Sequence, residues 1–486
     1  MMTLMVRKLS EKYKALPIAA KATIWFVFCN ALQRCLALIT TPIFTRMMTT
    51  VQYGQYNIYN SWLQIFMIFT TLRLPFAVFN KGMSKYPYDR DGYTSTMQTI
   101  TACLALILLF AYFIIRKPVN AFIELPTFIM VSIFAELIFF PSVDFWTIRK
   151  RYEYIYKPVV WVTLLMAFLN AIIGVIMVYY SEEKGYARIL SCVIVNSLFG
   201  IILFAYNRRK SSTWFKKEYA VFAITFNLPL LLHYISLYIL DQFDRIMIQK
   251  MVGMAAAGLY GVAYNAGLMI KILTQSINSA LVPWQYGQLE KGKLKKIDDT
   301  LFGIFVFIAV CILMFVAFAP EIMMILADRK YYEARFVIPP VAVSTFFTFA
   351  YTVYANIEFY YDKNKFTMYV SMSGAALNIV LNYFGIKYFG YIAAAYTTLI
   401  CYTIFTVAHF AYTYYLIKDK TNGSYCLETR RFIFLSIAIV VLSLSIALIY
   451  DYFIIRYIVI IIGILLIIIK RAKIMRLFMA LKSRDS

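Results

Sequence analysis

The chain has 486 residues, 62% of them hydrophobic and 15% charged. Soluble globular proteins are about 45–50% apolar and about a quarter charged, so this composition excludes a soluble enzyme, a disordered tail and a small secreted domain. The excess apolar residues need lipid as their solvent. Lys and Arg number 48 against 24 Asp and Glu, a net charge of +24. In a soluble chain that balance points to nucleic acid; here it first asks which side of a membrane the cations occupy.

Fourteen apolar segments follow one another, over residues 18–41, 56–80, 96–115, 119–141, 156–180, 187–206, 219–240, 255–284, 300–325, 336–360, 366–386, 390–416, 431–450 and 452–469. Charge and turn clusters separate them, such as Tyr86-Pro-Tyr-Asp-Arg-Asp-Gly92 and Glu290-Lys-Gly-Lys-Leu-Lys-Lys296. Runs of this length are helices, because lipid tolerates no unpaired backbone outside helices and closed barrels. The short alternating strands of a barrel are absent. The sequence therefore predicts an all-α polytopic membrane protein with about fourteen transmembrane helices. Residues 1–17 read as a basic amphipathic segment rather than a cleaved signal, since Arg7, Lys8, Lys12 and Lys14 precede an apolar stretch that is too long and carries Arg34.

Sorting the cations sets the orientation. With a cytoplasmic N-terminus, 33 fall on the inside and 12 in outside loops, the latter including Arg188, Arg245 and Arg456. That asymmetry places both termini in the cytoplasm and makes no nucleic-acid surface of the charge. A faint repeat also emerges. Gly54-x-Tyr56 before the second helix matches Gly258-x-Tyr260 before the eighth, 204 residues on. The expected organisation is a lobe of helices 1–6 over residues 18–210 and a second of helices 7–12 over 211–417. Helices 13 and 14 with a basic tail follow over 418–486. Parallel halves related along the membrane normal are a known transporter plan with the site between them.

Three cations remain inside helices: Arg34, Arg73 and Lys271. An ionised group in hydrocarbon costs about 2.5–3.5 kcal/mol on insertion scales, so each wants a hydrated cavity or a partner. Asn30 shares the Arg34 face four residues back, and Gln275 and Asn278 continue the Lys271 stripe. Asn57, Asn60 and Gln64 make another stripe on helix two, from which Arg73 points away unless Pro75 kinks the helix. One reading is a cationic cavity that receives an anion. The other is a set of braces to buried acids such as Glu124 or Glu136. Glu136 is also a candidate coupling carboxylate. Asp241, Asp244 and Arg245 end helix seven as an interfacial cluster or a gate. His233 and His409 read as packed imidazoles or as a proton relay.

Nothing marks an enzyme. Gly-x-Ser-x-Gly, His-Glu-x-x-His and a Walker loop are absent from the sequence. The seven cysteines form no Cys-x-x-Cys pair and read as packing residues rather than metal ligands. No catalytic residue, metal or cofactor is expected. Without an ATP site, transport would draw on a gradient of H⁺ or Na⁺ or on substrate flux.

The stretch Thr41-Pro-Ile-Phe-Thr-Arg-Met-Met-Thr-Thr-Val-Gln-Tyr-Gly-Gln-Tyr56 resembles the first loop of bacterial O-antigen and exopolysaccharide flippases (Wzx type), within the multidrug/oligosaccharidyl-lipid/polysaccharide exporter superfamily. Asp241-Gln-Phe-Asp-Arg-Ile-Met-Ile248 with Ala257-Gly-Leu-Tyr260, Ala280-Leu-Val-Pro-Trp284, and Leu377-Asn-Ile-Val-Leu-Asn382 with Phe389-Gly-Tyr-Ile-Ala-Ala-Ala395 are similar to their later signatures. At 389–393 the chain departs, with Phe-Gly-Tyr-Ile-Ala where that family has Gly-x-x-Gly-Ala. The resemblance spans about residues 15–415. It implies two six-helix lobes in a V, seated in the bacterial cytoplasmic (inner) membrane. It also implies transfer of undecaprenyl-diphosphate-linked oligosaccharide between leaflets for surface polysaccharide such as lipopolysaccharide O-antigen. Related lipid II flippases keep arginines in helices one and two and a basic residue in helix eight, which Arg34, Arg73 and Lys271 match in kind. Implied partners are that glycan lipid, membrane lipids, and the polysaccharide polymerase and chain-length machinery. A multidrug exporter of the same fold is the first alternative and would want buried carboxylates. A glycan polymerase or ligase is the second and would want a large external loop.

Overall fold

The computed structural model describes residues 17–425, 427–472 and 475, with the side chains of Asn30 and Arg34 among those left outside that description. The basic N-terminal segment up to residue 16, Cys426 and most of the basic tail also lie outside it. Among the described residues every regular element is a helix, and a helix lies over each of the fourteen segments read from the sequence. Ten helical stretches among the described residues are long and apolar enough to cross a membrane. Outward rows are lipid-compatible, as in Leu106, Ile107 and Phe110 on one of these and Ile454, Ile458 and Ile461 on the shorter apolar helix Phe453–Ile469, all exposed. This is a multi-pass membrane protein.

The chain divides into two compact units, residues 1–235 and 236–486. The first begins with α1 (Ile18–Met47) and α2 (Thr50–Thr71). Thr49 and Gln52 form a reciprocal cap at the start of α2: the Thr49 hydroxyl accepts from the Gln52 N–H at 3.2 Å and the Gln52 side chain accepts from the Thr49 N–H at 3.0 Å. Then come α3 (Ala77–Lys85), α4 (Arg90–Ile114), α5 (Arg116–Ile123), α6 (Thr127–Phe139), α7 (Pro141–Tyr152), α8 (Tyr156–Tyr180) and α9 (Lys184–Lys210). Pro141 divides α6 from α7, since it supplies no N–H to continue the ladder. Gly200 on α9 lies against the Phe139 backbone, where an added Cβ would sit 2.7 Å from its carbonyl carbon.

Helix α10 (Lys217–Met251) runs through the division. The sequence placed the join in the basic loop at 210–211. The later boundary has a packing cause: Tyr219, Ala220 and Ala223 fill a core with Leu74, Val78, Phe79, Met97 and Phe145 of the first unit. The second unit continues with α11 (Met254–Gly267), a short 3₁₀ turn (Leu268–Ile270), α12 (Lys271–Glu290), α13 (Leu294–Ala317) and α14 (Ala319–Leu326). A longer 3₁₀ stretch (Arg329–Val337) leads to α15 (Ile338–Tyr360), α16 (Asn364–Phe389), α17 (Ala393–Lys420), α18 (Thr429–Leu448) and α19 (Phe453–Ile469). The last two helices are part of this unit. Arg456 of α19 donates to both Glu321 carboxylate oxygens at 2.7 and 2.8 Å and to the Ala317 carbonyl at 2.9 Å. Gly54 and Gly258 are each the fifth residue of their helix, so the faint repeat falls on equivalent turns of α2 and α11.

Three cations assigned to outside loops are corrected. Arg188, Arg245 and Arg456 are buried within α9, α10 and α19. Arg188 and Arg456 fall at the edges of their apolar runs, and Arg245 lies beyond 240 because α10 continues to Met251, a helix keeping its polar turns once neighbours supply hydrogen bonds.

The start of α10 is also tied down by charge. Asp89 caps α4 through the Gly92 N–H at 2.9 Å and accepts from Lys216 and, at 2.8 Å, from the Tyr219 hydroxyl. Burial opposes the ionised form of Asp89, and those donors outweigh it, so its carboxyl is held below its usual value. Contact with Asp89 in turn raises Lys216. A depressed carboxyl stabilises above its unfolded value of about 3.9 and loses that contribution as pH falls through the folded one; a raised amine stabilises below about 10.4 and loses it as pH rises through the folded one. Hydrogen exchange over residues 86–93, corrected for intrinsic rate, is therefore expected to stay flat from about pH 5 to 9, and Asp89→Asn is expected to accelerate it. Unchanged exchange in Asp89→Asn would remove the tie.

Candidate functional site

Arg73 does not lie inside a continuous helix, contrary to the sequence reading. Helix α2 ends at Thr71, and Leu72 and Arg73 both adopt left-handed backbone, φ 46° and 56°. Pro75 accounts for the break, since its ring would clash with the Thr71 carbonyl and it offers no N–H. The Thr70 and Thr71 hydroxyls turn back onto the Phe66 and Met67 carbonyls at 3.1 and 2.6 Å. The Asn227 amide donates to the freed Leu72 carbonyl, and the Arg73 N–H donates to Thr71 Oγ1 at 3.2 Å. Two left-handed residues without glycine cost about 1–2 kcal/mol each, and such strain persists only where the surroundings fix it. The Arg73 guanidinium lies 3.5 Å from the Phe76 ring centroid and 5.5 Å from that of Tyr234. It also lies within electrostatic reach of Asp144 on α7, an acid the sequence reading passed over.

Lys271 sits at a local tightening of a continuous helical stretch. The helix that starts at Met254 tightens into the 3₁₀ turn and resumes with Lys271 as the first residue of α12. Gly267 permits the approach there, as a Cβ would meet Val341 at 2.8 Å. Lys271 is half-buried and forms no ion pair among the described residues. Gln275 is exposed on the same helix, and Asn278 accepts from the Asn356 amide at 3.2 Å. The second long helix of the first unit thus ends in a break and that of the second tightens locally, and a cation stands at each place. Asn30 and Arg34 belong to α1, but their side chains lie outside the described residues.

In the first unit Glu136 is engaged by uncharged donors. It is buried on α6 and accepts from the Tyr59 hydroxyl and the Asn196 amide, each at 2.8 Å. Asn170 donates to Asn196 at 3.3 Å, and Arg188 donates to the Asn170 carbonyl at 3.2 Å while covering the Phe44 ring at 4.2 Å. Asn57 is buried on α2, Asn60 spends its amide on the Tyr56 carbonyl at 2.8 Å, and Gln64 is half-buried. Glu124 is exposed at the end of α5, in left-handed backbone.

In the second unit Asp244 and Arg245 are buried inside α10 instead of ending it. Tyr260 donates to Asp244 at 2.5 Å. Arg245 donates to the Asp241 carbonyl and to Gln242, both at 2.9 Å, and covers the Tyr264 ring at 4.7 Å. Asp241 is half-buried. His409, read from the sequence as a packed imidazole or a relay, meets an acid that reading passed over: its Nδ1 lies 2.9 and 3.0 Å from the Glu358 carboxylate oxygens, both side chains buried. Thr367 and Thr413 donate to the same carboxylate at 3.2 and 3.3 Å. His409 is thus a bonded imidazole; its partner Glu358 was legible only as one acid in an otherwise apolar run. No cluster of metal-ligating side chains occurs among the described residues.

Comparison with known proteins follows the same lines. The family model for polysaccharide biosynthesis proteins matches residues 19–285, more than half of the chain, and the MatE model matches residues 229–384. The chain is 25% identical over 374 residues to Lsg locus putative protein 1 of Haemophilus influenzae, covering 72% of this chain and 88% of that one. It is 22% identical over 346 residues to an uncharacterized membrane protein of the same organism, covering 68% and 81%. Among solved structures, the lipid II flippase MurJ in an inward closed conformation superposes with a TM-score of 0.65 at 16% identity, over 93% of this chain and 100% of that one. An inward-facing multidrug resistance MATE family transporter of the MOP superfamily gives 0.59 at 13% identity, over 81% and 96%. With that family model matching more than half of its length, the chain belongs to the polysaccharide biosynthesis protein family.

Proposed function

We propose that this protein is a flippase that carries a prenyl-diphosphate-linked oligosaccharide across the bacterial cytoplasmic membrane by alternating access. The observation that carries the reading is the placement of Arg73 at the break after α2 and of Lys271 at the 3₁₀ turn before α12. Irregular backbone at membrane depth is tolerated only where protein buries it or water reaches it, and transporters use such discontinuous helices to meet charged substrate groups. Guanidinium and ammonium donors suit diphosphate oxygens. Arg34, Arg73 and Lys271 are assigned to the diphosphate, while Asn57, Gln64 and Gln275 offer polar atoms to the sugar.

The acids support an anionic rather than a cationic cargo. Glu136, Asp244 and Glu358 are each engaged by hydrogen-bond donors inside their own unit, and a carboxylate so occupied presents little free charge to an organic cation. The match to a polysaccharide biosynthesis family and the fold shared with a lipid II flippase point the same way. A dry groove of about 350 Å³ lined by Phe347, Val407, Phe410, Phe432 and Ile437 on α15, α17 and α18 offers the prenyl tail an apolar bed.

The test is translocation in proteoliposomes of a fluorescent undecaprenyl-diphosphate oligosaccharide and, in parallel, of a cationic dye. The expected result is saccharide transport, with dye movement no faster than in empty vesicles. Dye transport without saccharide transport would favour the multidrug alternative and overturn this reading. An imposed H⁺ or Na⁺ gradient in the same vesicles identifies the coupling ion.

A further inference from the structure

A polar cavity of about 650 Å³ belongs to the second unit and is not part of the cation sites above. One wall is the turn from α12 into α13, with Lys293, Lys295 and Lys296. The other is the turn after α17, with Thr421 and Ser424. Both α13 and α17 are membrane spans, so a cavity framed by an end of each lies at the depth of the lipid headgroups. The positive-inside count puts this end in the cytoplasm.

The lining favours an anion. Lys293 and Lys295 are exposed and make no ion pair among the described residues. The first turn of α13 carries no acid. Asp299 is the acid of the lining, and Arg431 lies 3.4 Å from its carboxylate. The two walls are held in place independently of any ligand. Gly292, at φ 65°, lets the first turn reverse, with the Lys293 N–H donating to the Gln288 carbonyl at 3.0 Å. Ser424 Oγ donates to the Thr421 carbonyl at 2.7 Å in the second. Three ammonium groups on a preformed rim at headgroup depth match the phosphate oxygens of an anionic lipid, whose attraction to basic residues near the surface is about 1 kcal/mol each.

We propose that this pocket binds the phosphate headgroup of an anionic membrane lipid. The assignment does not depend on the transported cargo, because an ordinary phospholipid satisfies it.

The experiment is native mass spectrometry of the full chain in mild detergent, with phosphatidylglycerol, undecaprenyl diphosphate and inorganic phosphate supplied in separate arms. Wild type is compared with Lys293→Gln/Lys295→Gln/Lys296→Gln, with the single change Lys295→Gln, and with Lys363→Gln/Lys365→Gln/Lys418→Gln as a charge-matched control in the same unit. Each pocket lysine removed is expected to weaken retention of lipid roughly fivefold, and the control to leave it within about twofold. Loss of phosphatidylglycerol assigns an ordinary phospholipid, and loss confined to undecaprenyl diphosphate assigns the prenyl lipid; either supports the pocket. Equal loss in pocket and control variants, or retention of inorganic phosphate without lipid, overturns it. Should the triple variant misfold, Lys295→Gln alone decides by the same criterion.

Discussion

Lys271→Ala is expected to reduce saccharide transport in proteoliposomes by about 10- to 100-fold, the equivalent of roughly 1.5–3 kcal/mol for a hydrogen bond to a charged group. The protein's quantity in the membrane and its melting temperature should hardly change. Lys271 opens α12 half-buried and makes no ion pair among the described residues, so truncation leaves no partner stranded. Lys271→Arg keeps the charge and should retain part of the activity, whereas Lys271→Gln should resemble alanine. Transport within twofold of wild type in Lys271→Ala, at matched protein level, would sink the assignment of this lysine to the diphosphate. Arg73 is a less clean test of the same idea. Its guanidinium covers Phe76 and lies near Asp144, so Arg73→Ala removes a brace and a substrate contact together. Its transport loss should come with a lower melting temperature, and Arg73→Lys should restore stability more fully than transport.

The sequence made the helices legible because lipid imposes one rule on every segment: long apolar runs must be helical. It was weaker at helix ends, where that rule lapses. Arg188, Arg245 and Arg456 were counted as loop cations because each stands close to the edge of an apolar run. Within the fold each finds acceptors, such as the Asn170 carbonyl for Arg188 and the Glu321 carboxylate for Arg456. Pro75 was visible as a possible kink in the second helix, yet a full break also needed the Asn227 amide for the Leu72 carbonyl, 155 residues away. Pairings of that range leave no periodic trace. The same holds for Glu136 with Tyr59 and Asn196, and for Glu358 with His409: the lone polar residue can be seen in an apolar run, but its partner cannot.

Glu358→Ala should be among the most destabilising single changes in the second unit. The carboxylate is fully buried on α15 and joins three helices at once: His409 and Thr413 on α17 and Thr367 on α16 all reach it. Around it the ring of Tyr351 stacks on the imidazole at 5.5 Å, and Phe366 meets the imidazole edge-on at the same separation. Alanine would leave the imidazole and the Thr367 hydroxyl without this acceptor, while Thr413 keeps the Tyr354 carbonyl at 3.4 Å. Removing one partner of a buried pair costs about 3–5 kcal/mol, more than the roughly 1 kcal/mol of an ordinary hydrogen bond. Glu358→Gln keeps the volume and one acceptor oxygen, so it should fall between alanine and wild type. His409→Ala in the Glu358→Ala background should add little, since the interaction is already lost. Thermal unfolding in detergent, followed for wild type, Glu358→Ala, Glu358→Gln, His409→Ala and the double alanine variant, measures this coupling. If Glu358→Ala melts with wild type, or if the two alanine changes simply add, Glu358 and His409 do not hold these helices together. Charge alone would not produce the expected ordering, because Glu358→Gln removes the charge while sparing most of the contacts.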